Sequence, residues 1–218
     1  SALNEGFGWG SGITKLYNTL LQDMLYKDPM RNEIFLDNHD QDRFYSVIGE
    51  DFSKYKMGIG LLLTQRGIPQ LYYGTEILMK NFKDPSDAEV RRDFPGGWVN
   101  DPQNKFAAEG RSPQENEAYN YVKTLAQFRM HSSALQTGKT MQYVPEDGLY
   151  VYFRYDANQT VMCIVNTNVA SKEIDFTKYA ERTNGFAKAN NIVSNTSTGL
   201  TEKPSVAGKT ILVLELKK

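Results

Sequence analysis

The sequence predicts an α/β unit followed by an all-β unit, and three observations indicate this fold class. Apolar residues recur at helical spacing over residues 13–25, which predicts a helix with one apolar face. Two short apolar runs, at residues 34–36 and 68–73, are typical of buried strands. From about residue 137 the apolar period changes to two, which predicts an antiparallel β-sandwich.

The elements of the first unit follow the order helix, strand, helix, strand. Asp28 and Pro29 end the first helix, because a proline disfavours helical backbone in the residue before it. The second helix is predicted over residues 53–66 and ends at Gly67, a residue suited to a left-handed helix cap. Two apolar strands joined through a helix favour a parallel sheet with right-handed crossovers.

A long, polar, irregular segment at residues 81–111 follows the second predicted strand. A loop of this length in a compact domain is usually functional or disordered. Ser112 and Glu115 then form a capping-box pattern with Pro113 at the first helical position. This pattern predicts a third helix that runs to about Met130.

The second unit is predicted to consist of strands joined by short turns. Residues 149–155 alternate in period two, residues 156–159 form a turn, and residues 160–165 form the return strand. Further strands are predicted at residues 174–176, 192–193 and 210–216. The predicted division of the chain is therefore residues 1–135 for the α/β unit and residues 136–218 for the sandwich.

Composition excludes several classes of function. Lys and Arg total 25 against 26 for Asp and Glu, so charge does not favour binding to nucleic acid or to an anionic membrane. The single cysteine, Cys163, excludes an internal disulfide and a multi-thiolate metal site. No apolar run approaches the roughly 20 residues that span a bilayer.

Polar side chains follow both predicted parallel strands. The first strand leads into Asp37, Asn38, His39 and Asp40, and the second leads into a Tyr-Gly-Thr-Glu segment at residues 73–76. In α/β barrels, reactive groups lie at the C-terminal ends of the strands. Asp and Asn also serve turns and helix caps, so these residues alone support a functional and a structural interpretation about equally.

The order of the two segments favours the functional interpretation over the structural one. Residues 35–40, Phe-Leu-Asp-Asn-His-Asp, resemble the fourth short sequence region of the α-amylase superfamily (glycoside hydrolase family 13). Residues 67–76 resemble the eighth barrel strand of that family, and residues 91–98 resemble its neopullulanase, cyclomaltodextrinase and maltogenic-amylase branch. The resemblance implies the C-terminal portion of a (β/α)8 TIM barrel followed by an antiparallel β-sandwich domain.

The resemblance also implies roles for individual residues. Asp40 matches the catalytic carboxylate that stabilises the transition state, and His39 matches an imidazole that binds the same sugar. Arg92 and Asp93 lie in a loop that contacts substrate in the family. We expect no metal site in this segment, because residues 37–42 lack the mid-loop Gly and distal Glu of a calcium loop. No cofactor is expected, and calcium in the parent protein stays open.

Retaining glycosidases need a nucleophile and an acid/base about 5–5.5 Å apart. The family places both carboxylates upstream of the segment that holds Asp40, and here only 39 residues precede Asp40. We therefore expect a retaining α-glucan hydrolase as the parent and an inactive fragment in this chain. The expected partners are an α-glucan oligosaccharide or polysaccharide and, through exposed barrel edges, a second copy of the chain.

Several alternatives stay open at this point. The chain could instead come from a non-catalytic α-amylase-like binding or interaction protein, or act as a sandwich module that binds glucan. Hydrolysis and glucosyl transfer use the same groups, and the loops that choose between α-1,4 and α-1,6 bonds are mostly outside these residues. The compartment is also open, with a periplasmic or extracellular location favoured over a cytoplasmic one.

Overall fold

The structure, a computed structural model, describes residues 2–218, so Ser1 of the predicted first unit lies outside the described residues. Six α-helices and ten strands are assigned within that range. The helices are α1 (Ile13–Leu20), α2 (Phe44–Val47), α3 (Phe52–Thr64), α4 (Pro113–His131), α5 (Ser133–Gln136) and α6 (Ala180–Thr183). The strands are β1 (Glu33–Phe35), β2 (Ile68–Gln70), β3 (Lys139–Gln142), β4 (Leu149–Tyr155), β5 (Thr160–Asn166), β6 (Lys172–Glu173), β7 (Lys188–Asn191), β8 (Ser197–Gly199), β9 (Ser205–Val206) and β10 (Thr210–Lys217).

The first unit contains the predicted parallel pair of strands. β1 pairs with β2 in parallel, with Glu33 opposite Ile68 and Phe35 opposite Gln70, and α2 and α3 lie between them in sequence. The first predicted helix is split, because α1 ends at Leu20 and residues 21–25 continue as a 3-10 helix. Asp51 caps α3 by accepting hydrogen bonds from the backbone N–H groups of the first turn.

These two strands, which would be buried in a complete barrel, are only partly buried here, as a partial barrel with exposed edges implies. The side chains of Phe35 and Ile68 are 40% and 57% exposed. An open apolar groove of about 520 Å³ runs along β1 and is lined by Leu3, Leu16, Phe35 and other apolar residues. The apolar sequence of the strands therefore predicts more burial than the described residues provide.

The second unit is built on one six-stranded sheet with the order β3-β4-β5-β10-β7-β8. Every pairing within this sheet is antiparallel. A two-stranded antiparallel sheet, β6-β9, forms the second layer together with a 3-10 helix at Phe176–Tyr179. This arrangement confirms the predicted antiparallel sandwich after the α/β unit.

Both faces of the six-stranded sheet are buried, because alternate residues of its central strands join two different cores. Tyr150 and Tyr152 of β4 pack in a core with Ile59 and Leu63 of α3. Val151 and Phe153 of β4 pack in a second core with Phe176 and other residues of the second layer. The sheet thus joins the two units, because the first core extends from α3 onto one face of the sheet and the second core covers its other face.

Several boundaries in the second unit differ from the predictions. The strand predicted at residues 174–176 lies at Lys172–Glu173, and Phe176 instead begins the 3-10 helix. The strand predicted at residues 192–193 lies at Lys188–Asn191, because Asn191 accepts hydrogen bonds from the backbone N–H groups of Val193 and Ser194 and starts a turn. β3, β8 and β9 were not predicted, since they are short and polar.

α4 begins as its sequence predicts. Ser112 accepts from the Glu115 backbone N–H, and the Glu115 side chain accepts from the Ser112 backbone N–H, which completes the capping box.

Across residues 2–218, the helices are too short or too polar to cross a membrane.

Candidate functional site

The polar turn after β1 is held by two side chains of its own. Asn38 Oδ1 accepts a hydrogen bond from the Asp40 backbone N–H at 2.9 Å, which closes a tight Asx turn. Asp37 is only 2% exposed and accepts from the Phe44 backbone N–H at 2.9 Å and from the Thr75 hydroxyl at 3.0 Å. Asp37 therefore ties the end of β1 both to α2 and to the chain that follows β2.

Burial sets the ionisation behaviour of Asp37. Removal from water raises the pKa of its carboxyl group, while the hydrogen bonds from Phe44 and Thr75 and the charge of Arg43 act in the opposite direction. Since both carboxylate oxygens already accept hydrogen bonds inside the protein, Asp37 is a structural residue of this turn.

His39 and Asp40 project from the same turn into solvent. Their side chains are both exposed, and His39 Nε2 lies 3.2 Å from Asp40 Oδ2. The Asx turn places both residues beyond the C-terminal end of β1, the edge where barrel folds carry reactive groups. The two residues with the most specific predicted roles thus lie side by side and open to a ligand.

Arg91 links this turn to the long loop and was missed as a site residue. Its Nη2 atom donates to Asp40 Oδ1 at 2.9 Å and to Asp87 Oδ2 at 2.8 Å, and its Nε donates to the His39 carbonyl at 2.8 Å. A guanidinium group makes such a multiple contact because its donors are fixed in a planar fork. The only sequence signal was its position beside Arg92, and that signal does not distinguish the two arginines.

Lys83 adds a second connection between the loop and the turn. Its ammonium group donates to the Asp40 carbonyl at 2.9 Å and lies 3.1 Å from Asp87. Its backbone N–H donates to Asp42 Oδ1 at 2.7 Å. The backbone on both sides of Asp40 is therefore held by the loop.

Arg92 and Asp93, the other two predicted substrate-binding residues, lie in the same loop with different contacts. The Arg92 guanidinium forms an ion pair with Glu89. The backbone carbonyl of Arg92 accepts a hydrogen bond from the Tyr73 hydroxyl at 2.7 Å. Asp93 Oδ2 accepts from the indole Nε1 of Trp98 at 2.8 Å. Among the described residues, these two side chains do not hydrogen-bond to Asp40 or His39, so the structure brings together only part of the predicted set.

Arg43 forms the floor between the two strand ends. It is buried, its guanidinium donates to the Tyr73 carbonyl, and it lies 4.1 Å from the centroid of the Tyr72 ring. The Tyr73 ring lies 4.8 Å from the same guanidinium. This cation–π contact fixes the chain after β2 relative to the turn after β1.

Two further carboxyl groups near the site have shifted pKa values. A hydrogen bond from Lys83 lowers the pKa of Asp87. Burial raises the pKa of Glu76, whose Oε2 atom is buried without a hydrogen-bond partner among residues 2–218. In the same range, no group of three or more His, Cys, Asp or Glu side chains is arranged to hold a metal ion.

Comparison with known proteins gives two family matches that together cover most of the chain. The family described as the α-amylase catalytic domain matches residues 11–106, and the cyclomaltodextrinase C-terminal domain matches residues 140–215. The chain is 32% identical over 157 residues to a cyclomaltodextrin glucanotransferase from Geobacillus stearothermophilus, an alignment that covers 71% of this chain. It is also 32% identical over 137 residues, 63% of the chain, to an α-amylase from Niallia circulans.

Solved structures show the same fold over nearly all of the chain. The crystal structure of an Anoxybacillus α-amylase matches 93% of this chain with a TM-score of 0.74 at 21% identity. The match covers 42% of that protein. The chain spans 19% and 22% of the length of the two curated relatives, so it corresponds to a limited part of each.

Proposed function

Because this chain belongs to the α-amylase superfamily, we propose that it is the C-terminal part of a retaining α-glucan hydrolase and supplies one corner of that enzyme's site. The observation that carries the proposal is the pair formed by Asp40 and His39, exposed beyond the C-terminal end of β1 and braced by Arg91. Such a pair suits the binding of a sugar ring from one side.

The proposed role of the pair is to stabilise the transition state. As a glycosidic bond breaks, positive charge develops on the sugar ring, and hydrogen bonds to its hydroxyl groups strengthen. The Asp40 carboxylate accepts from two neighbouring hydroxyls, and the His39 imidazole donates to a third oxygen. Arg91 keeps the carboxylate in one orientation, so less ordering is needed when the sugar binds.

The substrate class that we propose is α-1,4-glucan, with α-1,6-glucan as a second linkage, in the form of maltooligosaccharide, cyclodextrin or pullulan. Arg92 and Asp93 belong to the loop that contacts Asp40 through Arg91, and we propose that they bind glucose units next to the one at Asp40. The exposed side chain of Arg92 has a single ion-pair partner, Glu89, which leaves guanidinium donors for hydroxyl groups.

The described residues support an inactive role for this chain on its own. Asp87 shares Arg91 Nη2 with Asp40, but its lowered pKa is the opposite of what a proton donor needs. Asp37 and Glu76 have raised pKa values, yet Asp37 is enclosed by its hydrogen bonds and the Glu76 Oε2 atom is buried. We therefore propose that the acid/base comes from outside residues 2–218, and that the nucleophile does too, because the family resemblance places both carboxylates upstream of Asp40.

Two measurements on the purified chain test this proposal. Incubation with maltooligosaccharides, cyclodextrin and pullulan is expected to release no reducing sugar above background, and turnover would contradict the inactive role. Calorimetric titration with maltoheptaose is expected to show weak binding that Asp40→Asn reduces about tenfold, the scale of one hydrogen bond to a charged group.

A matched control for the binding measurement is Asp28→Asn. Asp28 is exposed like Asp40 but precedes β1, at the opposite end of the strand, and Asn preserves its capping role. Binding equal in the wild-type chain and Asp40→Asn would contradict the proposed site.

Glucosyl transfer is the second candidate for the parent, favoured by the similarity to a cyclomaltodextrin glucanotransferase, and the same groups would serve it.

A further inference from the structure

Trp98 is a large aromatic residue that is exposed and yet held in place. It is 66% exposed, while its indole Nε1 donates to Asp93 Oδ2 at 2.8 Å and its backbone N–H donates to Asp101 Oδ2 at 3.1 Å. Because the one polar group of the indole is already bonded to the protein, the surface left to solvent is apolar ring. Rigid, exposed aromatic surface of this kind is characteristic of binding surfaces.

The loop that carries Trp98 is held in shape by contacts between its own residues. Asp101 Oδ2 also accepts from the Gly96 backbone N–H at 2.7 Å, and the rings of Phe94 and Phe106 lie 4.3 Å apart. Gly96 has a φ of 102°, and a Cβ there would lie 2.5 Å from Asn104 Oδ1, so the loop requires glycine at this point. A ligand that uses Trp98 therefore meets a platform that needs little ordering.

The position of Trp98 relates it to the turn that holds Asp40. Arg91 contacts Asp40, and Asp93, which holds the indole, is two residues further along the chain. The Cα atoms of residues two apart are separated by at most about 7 Å. Trp98 is therefore connected to the Asp40 turn through a short stretch of the same loop, from Arg91 to Asp93.

We propose that Trp98 is the stacking platform of an accessory α-glucan subsite. One glucose ring lies with its C–H face on the indole, while Asp93 Oδ1 and the Arg92 guanidinium face its hydroxyl groups. A pyranose ring matches this arrangement. Its apolar C–H face fits the indole ring, and its hydroxyl groups fit the charged side chains beside the indole. This inference rests on the proposed α-glucan function and adds a second contact point along the same ligand.

The chain is suited to a direct spectroscopic test, because it contains two tryptophans, Trp9 and Trp98. In the Trp9→Phe variant, all tryptophan emission comes from Trp98. Titration with maltoheptaose is expected to change this emission in a saturable way and to reduce its quenching by acrylamide. Cellopentaose, a β-linked glucan, is the ligand control and is expected to change the emission much less.

Affinity measurements by calorimetry complete the test. Trp98→Ala is expected to weaken maltoheptaose binding about tenfold, and Trp98→Phe less, because a smaller ring remains. Trp9→Ala is the matched control, since Trp9 is 97% exposed, and binding is expected to be unchanged. Asp93→Ala is expected to weaken binding about threefold and to lower the emission anisotropy of Trp98, because the indole loses its anchor.

The outcomes separate this inference from the function on which it rests. If Asp40→Asn weakens binding while Trp98→Ala and the Trp98 emission show no effect, the accessory subsite is overturned and the proposed function stands. If the wild-type chain does not bind maltoheptaose at all, both are overturned. The subsite is established if maltoheptaose changes the Trp98 emission in a saturable way, cellopentaose changes it much less, and Trp98→Ala weakens maltoheptaose binding.

Discussion

The two sheets of this chain differ in how completely their faces are covered. The six-stranded sheet is buried on both sides, so Phe153 of β4 is 0% exposed. The parallel pair β1-β2 borders an open apolar groove, so Phe35 of β1 is 40% exposed. The covered sheet holds the chain together, whereas the open sheet carries the proposed site at its edge.

This difference shows why the open pair keeps its shape. Its strands gain little from burial, but the turn and loop beyond their C-terminal ends are fastened by polar contacts. Arg43 bridges the two strand ends, and Asp37 joins the turn to Phe44 and Thr75. Buried and partly buried hydrogen bonds take the place of a closed apolar core at this edge.

The largest expected effect is the contrast between two phenylalanines. Phe153→Ala is expected to lower the free energy of unfolding by about 3–5 kcal/mol, because it leaves a cavity in a packed core. Phe35→Ala is expected to cost about 1 kcal/mol or less, because its side chain already contacts water. Urea unfolding followed by circular dichroism measures both, and equal losses would refute the contrast between the two sheets.

A second contrast lies within the turn itself. Asp37→Ala is expected to lower the free energy of unfolding by about 1–3 kcal/mol, because the Phe44 N–H and the Thr75 hydroxyl lose their buried acceptor. Asp40→Ala, three residues away and exposed, is expected to change it by about 0.5 kcal/mol or less. Thermal and urea unfolding of the two variants provide the comparison, and a larger loss for Asp40→Ala would reverse the assignment of structural and ligand-binding roles.

The raised pKa of Asp37 gives a smaller, pH-dependent prediction. Because burial raises this pKa in the folded state, the folded protein holds the proton more tightly than the unfolded chain does. This contribution to stability is present below the unfolded pKa of about 3.9 and is lost as pH rises through the folded pKa. Stability of the wild-type chain relative to Asp37→Asn should therefore fall as the pH rises above about 3.9, as measured by urea unfolding. A relative stability that rises with pH would show that the pKa is lowered instead.

The sequence predicts the covered sheet and the open sheet with different success. In β4 and β5, alternate side chains belong to two cores within this chain, so the period-two pattern and the observed burial agree. In β1 and β2, the apolar composition predicts buried strands, and the described residues do not supply the packing. β8 and β9 carry too few apolar residues for any pattern to reveal them, since neighbouring strands define them.

The candidate site was predictable only where its residues are adjacent in the chain. His39 and Asp40 form one motif after a strand, and the structure places them side by side. Arg91 lies 51 residues from Asp40, and the path of the loop decides which arginine of the Arg91 and Arg92 pair turns toward the carboxylate. Both positions are arginine, so only the folded loop shows which of them contacts Asp40.

The smallest expected effect on stability concerns Arg91 and sharpens the division of roles. Arg91→Lys is expected to change the free energy of unfolding by about 0.5 kcal/mol or less, because the pair that it forms with Asp40 is exposed. A lysine cannot bridge Asp40, Asp87 and the His39 carbonyl at once, because its ammonium group lacks the planar fork. Maltoheptaose binding is therefore expected to weaken about tenfold in calorimetric titration. Arg31→Lys, an exposed arginine before β1, is the control and should change neither quantity. Weaker binding with unchanged stability would show that Arg91 orients Asp40 for the ligand. Unchanged binding would show that Arg91 only forms a surface ion pair.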